Sequence, residues 1–139
     1  MKIQTEPIGS IPRPKYLVDA LNAFSQNQID KTELSGLFDE ALTDTIKRFE
    51  ETGSPVITDG EQSKPSFATY PIIGLQNLAP DGVIIPFADG HTRQLPKITS
   101  GPFHYKTYAD SYLKKATQLT TLPVKQAVIA VSAISLLYP

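Results

Sequence analysis

Apolar residues recur at helical spacing in two stretches near the start of the chain. The first stretch follows Pro14, which suits the first turn of a helix. Its apolar face consists of Leu17, Ala20, Leu21 and Phe24. The second stretch begins at Asp30 and Glu33, whose spacing is that of a capping box, and Gly53 and Pro55 predict its end. Its buried stripe is Leu34, Leu37, Phe38, Ala41, Leu42, Ile46 and Phe49. The pattern therefore predicts two consecutive helices.

Shorter segments rich in apolar and β-branched residues predict buried strands. They are Ile3–Gly9, Val56–Asp59, the residues leading to Gly101, and Val124–Val131. A third helical segment begins near Asp110, which is a candidate cap. Strands that alternate with helices favour a parallel sheet with crossover connections. The sequence therefore predicts an α/β fold.

An insertion around residues 72–98 interrupts this alternation. Val83–Phe87 and Thr92–Ile98 flank Asp89-Gly90, and Asp-Gly between apolar runs is typical of a β-hairpin. The pattern predicts a hairpin here. It leaves open whether this hairpin covers a functional site or lies apart from it.

Polar clusters follow three of the predicted strands: Gly9-Ser10, Asp59-Gly60-Glu61 and Ser100-Gly101. In parallel α/β folds, ligands bind beyond the carboxyl ends of the strands. The middle cluster is therefore a candidate site. The alternative is a polar turn, because Asp and Gly are common turn formers. Gly9-Ser10 taken by itself is more simply explained as a turn.

Composition and charge narrow the classes of function. The 139 residues carry a net charge of −1, which makes nucleic acid an unexpected partner. The absence of cysteine excludes a disulfide, a thiolate zinc site and a cysteine nucleophile within this chain. No signal peptide is evident, and the apolar run Ala127–Ala133 is too short to span a membrane, so we expect a cytoplasmic protein. His91 and His104 lie in different segments and do not indicate a shared metal.

Two segments together resemble a known family. Glu6–Pro14 (EPIGSIPRP) and Val56–Phe67 (VITDGEQSKPSF) resemble the catalytic barrel of cobalamin-independent methionine synthase and its shorter one-domain relatives. The resemblance spans most of the chain. It implies the N-terminal half of a (β/α)8 TIM barrel with about four parallel strands, because a complete barrel needs about 250 residues. Residues 1–139 would then form a single incomplete barrel domain.

The resemblance also implies an activity. Members of this family transfer a methyl group to a thiol that a zinc ion activates. In methionine synthase the thiol is homocysteine and the donor is a methyltetrahydrofolate. The positions implied to contact the carboxylate of the amino-acid substrate are Ile8, Gly9 and Ser10. Glu61 is implied to contact its amino group, and Asp59 with Gly60 to shape the strand end or bind a second group.

The chain departs from the family pattern in two ways. Asp59 stands where the full methionine synthases carry histidine, although short relatives often carry aspartate there. The family's zinc ligands come from later strands, so we expect no metal ligand and no methyltransferase activity in this chain alone. The alternatives are a truncated half-barrel that binds ligands or associates with itself through two open sheet edges, or a fragment without a function of its own.

Overall fold

The two predicted helices are present in the computed structural model, which describes residues 3–137. Helix α1 spans Lys15–Ser25 and helix α2 spans Lys31–Glu51. The Asp30 side chain caps α2, because its Oδ1 accepts a hydrogen bond from the Glu33 N–H at 2.8 Å. Gly53 adopts the left-handed conformation after the helix, with φ of 70°. Both signals at the ends of α2 are thereby confirmed.

The described residues form two compact units, and the helices belong to the first, Met1–Pro65 with Ala109–Ala127. Helix α3 (Asp110–Thr117) completes this unit, and α2 contacts both α1 and α3. Its apolar side chains pack in two clusters. The first comprises Leu17, Ala20, Leu34 and Ala41, and the second comprises Leu42, Ile46, Ile57 and Ala116. Most of the predicted helical faces therefore lie in the core, whereas Phe24 of α1 is 39% exposed.

The predicted cap of α3 is wrong. The helix begins at Asp110, so the capping position falls on Ala109, whose side chain makes no capping hydrogen bond. The Asp110 carboxylate instead accepts a hydrogen bond from Lys114 Nζ at 2.9 Å, one turn further along the helix. Asp110 thus lies in the first turn, where its negative charge favours the positive end of the helix dipole.

Three segments of the first unit lie side by side through backbone hydrogen bonds. Ile57 and Val124 form a parallel bridge, in which the Ile57 N–H donates to the Pro123 carbonyl at 3.0 Å. The Lys125 N–H donates to the Ile57 carbonyl at 2.9 Å. On the other side, the Ile11 N–H donates to the Gly60 carbonyl at 3.1 Å. The ends of these segments are thereby brought together.

Three predicted strands are not regular strands. The first, Val56–Asp59, pairs only through the isolated bridge at Ile57. Residues 3–13 contain neither helix nor strand, because Pro7 and Pro12 have no N–H to donate to a ladder. In Val124–Val131, only Val124 has a bridge partner, and Val131 already begins helix α4, Val131–Ile134. The apolar run therefore divides between an extended segment and a short helix.

The second unit, Ser66–Tyr108 with Val128–Pro139, contains the predicted hairpin. It also contains the short 3-10 helices Tyr70–Ile72 and Ser135–Leu137. Its strands are β1 (Leu78–Ala79), β2 (Ile84–Pro86), β3 (Thr92–Gln94) and β4 (Lys97–Ile98). Strands β2 and β3 pair antiparallel around Asp89-Gly90, and β1 and β4 pair antiparallel outside them. The hairpin prediction is confirmed. Among residues 3–137, no helix has the length and apolar character needed to cross a membrane.

Candidate functional site

The turn that follows Ile57 is buried, although three of its residues are polar. Asp59 is 2% exposed and Glu61 is 9% exposed. Gly60 and Glu61 both adopt left-handed backbone conformations, with φ of 61° and 56°. This conformation costs a non-glycine residue about 1–2 kcal/mol, so Glu61 must be held there by its surroundings. Asp59 Oδ1 contributes by accepting a hydrogen bond from the Glu61 N–H at 3.0 Å.

Glycine is the one residue type that fits at position 60. A Cβ there would lie 2.8 Å from Thr45 Cγ2 and 2.9 Å from Ile11 Cγ1. Its N–H donates to Thr58 Oγ1 at 3.1 Å, and its carbonyl accepts from the Ile11 N–H. Close packing and a positive φ therefore both require glycine.

Gly9 packs against the carboxylate of Glu61. It is buried, and a Cβ at this position would lie 3.2 Å from Glu61 Oε1 and 3.6 Å from Ala127 Cβ. Thr58 Oγ1 donates a hydrogen bond to the Gly9 carbonyl at 3.1 Å, which ties the two segments together. The fold therefore brings two of the sequence-predicted site residues, Gly9 and Glu61, into one place.

The other predicted residues are placed differently. Ile8 and Ser10 flank Gly9 with exposed side chains, and Ile8 is 95% exposed. Ser100-Gly101 belongs to the second unit, where the Ser100 carbonyl accepts a hydrogen bond from Asn77 Nδ2. The buried group thus consists of Gly9 and the Asp59-Gly60-Glu61 turn.

Sequence reasoning missed Lys64, which is 1% exposed. Its Nζ donates hydrogen bonds to Gln126 Oε1 at 2.7 Å and to the Ala127 carbonyl at 2.9 Å. It also lies 5.4 Å from the centroid of the Tyr112 ring, within the range of a cation–π contact. Gln126 Nε2 in turn donates to Asp59 Oδ2 at 2.9 Å. The only sequence signal was a lysine close behind two carboxylates.

Arg13 holds the backbone of the same turn. Its Nε donates to the Gln62 carbonyl at 3.0 Å, and its guanidinium also reaches the carbonyls of Glu61 and Lys64. These hydrogen bonds to main-chain oxygens stabilise the left-handed turn.

Burial shifts the pKa of two charged groups in this site, Glu61 and Lys64. It raises the pKa of Glu61, and the nearby Asp59 raises it further, whereas Lys64 and Arg13 lower it. Burial likewise lowers the pKa of Lys64, against the opposing effect of Glu61 and Asp59. Lys64 is thus a buried ammonium group beside two buried carboxylates, Asp59 and Glu61. Such a site favours a ligand that brings a further hydrogen-bond donor or positive charge to Glu61.

The zinc ion implied by the resemblance does not fit the residues present. Within residues 3–137, no group of three or more His, Asp or Glu side chains is arranged to hold a metal, and the sequence has no cysteine. The His91 ring hydrogen-bonds the Asp89 carboxylate and stacks on Phe87 in the exposed hairpin turn. The described residues therefore offer no zinc site.

Curated relatives share part of this sequence. The methionine synthase of Sulfolobus acidocaldarius is 28% identical over 68 residues. The methionine synthase of Sulfurisphaera tokodaii is 32% identical over 68 residues. Each alignment covers 49% of this chain and 20% of the relative. No protein-family model matches the chain.

A solved structure shares the fold. It is a B12-independent methionine synthase from Shewanella sp. W3-18-1 in complex with selenomethionine. The match has a TM-score of 0.73 at 20% identity and covers 96% of this chain and 40% of that one. That neighbour is a TIM-barrel enzyme, so the predicted α/β fold type is supported. The predicted set of about four parallel strands is not confirmed, because residues 3–137 contain one parallel bridge and two short antiparallel pairs.

These matches bear on the resemblance that Glu6–Pro14 and Val56–Phe67 indicated. The curated relatives carry the predicted name, and the fold of the solved structure matches nearly the whole of this chain. The resemblance is confirmed: over part of the enzyme's length, this chain is related to the cobalamin-independent methionine synthase family.

Proposed function

We propose that this chain supplies the amino-acid-binding segments of a methionine-synthase-like methyltransferase. The whole reaction would move a methyl group from a methyltetrahydrofolate to a thiol such as homocysteine. The relatives named methionine synthase and the solved enzyme in complex with selenomethionine support this assignment. The observation that carries it is the buried Glu61 carboxylate, held in a left-handed turn against Gly9.

In this proposal Glu61 accepts hydrogen bonds from the ammonium group of the amino acid. An ammonium carries three donors and a positive charge, and it would relieve the cost of burying that carboxylate. The missing side chain of Gly9 leaves room beside Oε1. The exposed Ser10 hydroxyl and the backbone beside it would meet the carboxylate of the amino acid, with Ile8 at the rim.

Asp59 and Gly60 have a different role in the proposal, which is to shape the turn. Both carboxylate oxygens of Asp59 already accept hydrogen bonds, one from the Glu61 N–H and one from Gln126 Nε2. Gly60 is needed because no larger residue fits beside Thr45 and Ile11. These two residues therefore position Glu61 and leave the ligand contact to it.

Methyl transfer itself would depend on groups that are absent from residues 3–137. Neither a zinc ligand set nor a cysteine is present among the described residues. We therefore propose that the 139-residue chain binds an amino acid but does not turn over homocysteine and a methylfolate, even with added zinc. Turnover in a zinc-supplemented assay would contradict this.

Isothermal titration of the full chain with methionine tests the binding proposal. We expect Glu61→Gln to weaken binding about ten-fold or more, because it removes a charge-assisted hydrogen bond. The matched control is Glu40→Gln, which removes an exposed carboxylate from α2. A second probe is 4-(methylthio)butanoate, which is methionine without its amino group, and Glu61→Gln should leave its binding unchanged. Failure of wild-type protein to bind methionine, or equal losses in both variants, would refute the proposal.

The second candidate function is self-association of a half-barrel with a second copy. It is favoured by the exposure of Ile3 and Ile8, at 87% and 95%, beside the segment that contacts the turn. The fuller set of parallel strands would then form across the pair, because each copy would cover the open edges of the other. Light scattering of the purified chain distinguishes the two states, and a monomer at all concentrations would refute this candidate.

A further inference from the structure

We propose that Lys64 is the positioning residue of this site, acting on Glu61 through Gln126 and Asp59. The inference rests on the proposed function, in which Glu61 receives the ammonium group of an amino acid. Lys64 does not contact the ligand in this scheme. It holds the turn that presents Glu61, and its charge keeps the carboxylate available to a cation.

A continuous chain of hydrogen bonds, partly buried at Gln126 and buried at Asp59, supports this role. Lys64 Nζ donates to Gln126 Oε1 at 2.7 Å, and Gln126 Nε2 donates to Asp59 Oδ2 at 2.9 Å. Asp59 Oδ1 then accepts from the Glu61 N–H at 3.0 Å. Three links therefore connect the ammonium group of Lys64 to the backbone of the residue that would bind the ligand.

The chemistry of the end groups fixes the donor-to-acceptor direction of these hydrogen bonds. An ammonium group can only donate hydrogen bonds, and an ionised carboxylate can only accept them. The amide of Gln126 must therefore turn its oxygen to Lys64 and its nitrogen to Asp59. The Asp59 carboxylate fixes the amide nitrogen at one end, and the ammonium group of Lys64 holds the amide oxygen at the other.

Lys64 also joins two segments that must stay together for the site to exist. Its second hydrogen bond, at 2.9 Å, goes to the Ala127 carbonyl, and Ala127 Cβ lies near Gly9. The Tyr112 ring from α3 flanks the ammonium group on another side. The positive charge is thus held where the turn, the segment after Val124 and α3 meet.

The electrostatic part of the role follows from the charges that face Glu61. They are Asp59, Lys64 and Arg13, and Arg13 donates to the carbonyls of the turn. Lys64 is the buried amine of this group and opposes the protonation of Glu61. An apolar residue at this position should therefore make Glu61 bind a proton at higher pH and accept a ligand ammonium less readily.

We call the hydrogen-bond chain from Lys64 through Gln126 and Asp59 to Glu61 the relay. Carbon-13 NMR titration of the Glu61 carboxyl in the ligand-free protein tests it directly. We expect Glu61 in Lys64→Met to titrate at higher pH than in wild type. Gln126→Met keeps the charge of Lys64 but breaks the chain of hydrogen bonds. Gln126→Met should shift the Glu61 amide resonance, but it should move the Glu61 titration less than Lys64→Met does. The control is Lys47→Met, which removes an exposed lysine of α2. An unchanged Glu61 titration and amide resonance in Lys64→Met would overturn the proposal.

Ligand binding gives a second measurement on the same variants. Lys64→Met should bind methionine about ten-fold more weakly than wild type and bind 4-(methylthio)butanoate equally well. A purely structural role would weaken both ligands alike. If the Glu61 titration shifts as expected but wild type binds no methionine, the proposed function fails and the relay stands. If methionine binds and Lys64→Met changes nothing, the relay fails and the proposed function stands.

One measurement needs no variant, which protects the test against an unfolded Lys64→Met. In wild type, the Lys64 ammonium protons should exchange slowly enough to give a resolved nitrogen-15 correlation near neutral pH. They should also show a nuclear Overhauser contact to the Gln126 side chain. Rapid exchange like that of Lys47, or no contact to Gln126, would overturn the proposal.

Discussion

The chain contains two Asp-Gly turns that are locally alike and end in different surroundings. In Asp59-Gly60-Glu61, the Asp carboxylate accepts the N–H two residues later at 3.0 Å. In Asp89-Gly90-His91, the corresponding distance is 3.2 Å. The glycine is left-handed in both, with φ of 61° in the first turn and 88° in the second. The local turn chemistry is therefore the same.

The surroundings of the two turns separate a polar turn from a candidate site. A Cβ on Gly90 would meet nothing within 4 Å, and the Asp89 and His91 side chains are both mostly exposed. A Cβ on Gly60 would collide with Thr45 and Ile11. The explanation as an ordinary polar turn fits the hairpin, whereas the turn after Ile57 is packed between other elements. Burial, which local sequence does not encode, makes the difference.

The largest contrast should come from alanine at the two glycines. We expect Gly60→Ala to lower the free energy of unfolding by about 2–4 kcal/mol, since it adds both backbone strain and overpacking. Gly90→Ala should cost only about 1 kcal/mol, because the strain acts there without a collision. Urea unfolding of both variants measures the difference. Equal losses would mean that the packing around Gly60 is not rigid.

A smaller contrast is expected from alanine at the two aspartates. Asp59→Ala leaves the Glu61 N–H and Gln126 Nε2 without their buried acceptor, so we expect a loss of about 1–3 kcal/mol. Asp89→Ala removes an exposed carboxylate and should change stability by no more than about 0.5 kcal/mol. Thermal unfolding at matched pH compares them. If Asp89→Ala lowers stability as much as Asp59→Ala, the difference in burial between the two aspartates does not explain their energetics.

The smallest effect concerns pH, because the buried turn carries a carboxylate that the hairpin turn lacks. Burial raises the pKa of Glu61 above its ordinary value of 4.5, so the folded state binds more protons than the unfolded state between those two values. This component of stability is therefore present at low pH and is lost as pH rises through the folded pKa. Wild type loses free energy of unfolding as Glu61 ionises, and Glu61→Gln does not. The free energy of unfolding of Glu61→Gln minus that of wild type should therefore increase with pH across this window.

Denaturant unfolding from pH 4 to 8 measures that slope, with Glu40→Gln as the exposed control in α2. The difference between Glu61→Gln and wild type should level off once Glu61 is fully ionised. A difference that stays flat with pH, or that falls as pH rises, would show that Glu61 is ionised in the folded state without a burial cost.

Helices and the hairpin were predictable because their signals are local. The capping pair Asp30 and Glu33 marks the start of α2, and Gly53 marks its end. Asp89-Gly90 marks the hairpin. The strands were harder, because a strand exists only if another segment pairs with it. Ile3–Gly9 has the composition of a strand but no ladder, and Val124–Val131 pairs at one residue before the chain turns helical.

The candidate site was predictable only in part. The sequence by itself determined the turn at Asp59-Gly60-Glu61, the two helices of the core and the absence of a cysteine-based metal site. Tertiary structure alone decided that the Glu61 carboxylate lies next to Gly9 and that Lys64 is buried. The physical reason is distance along the chain. Lys64 and Gln126 are 62 residues apart, and a hydrogen bond between them exists only once the fold has brought their segments together.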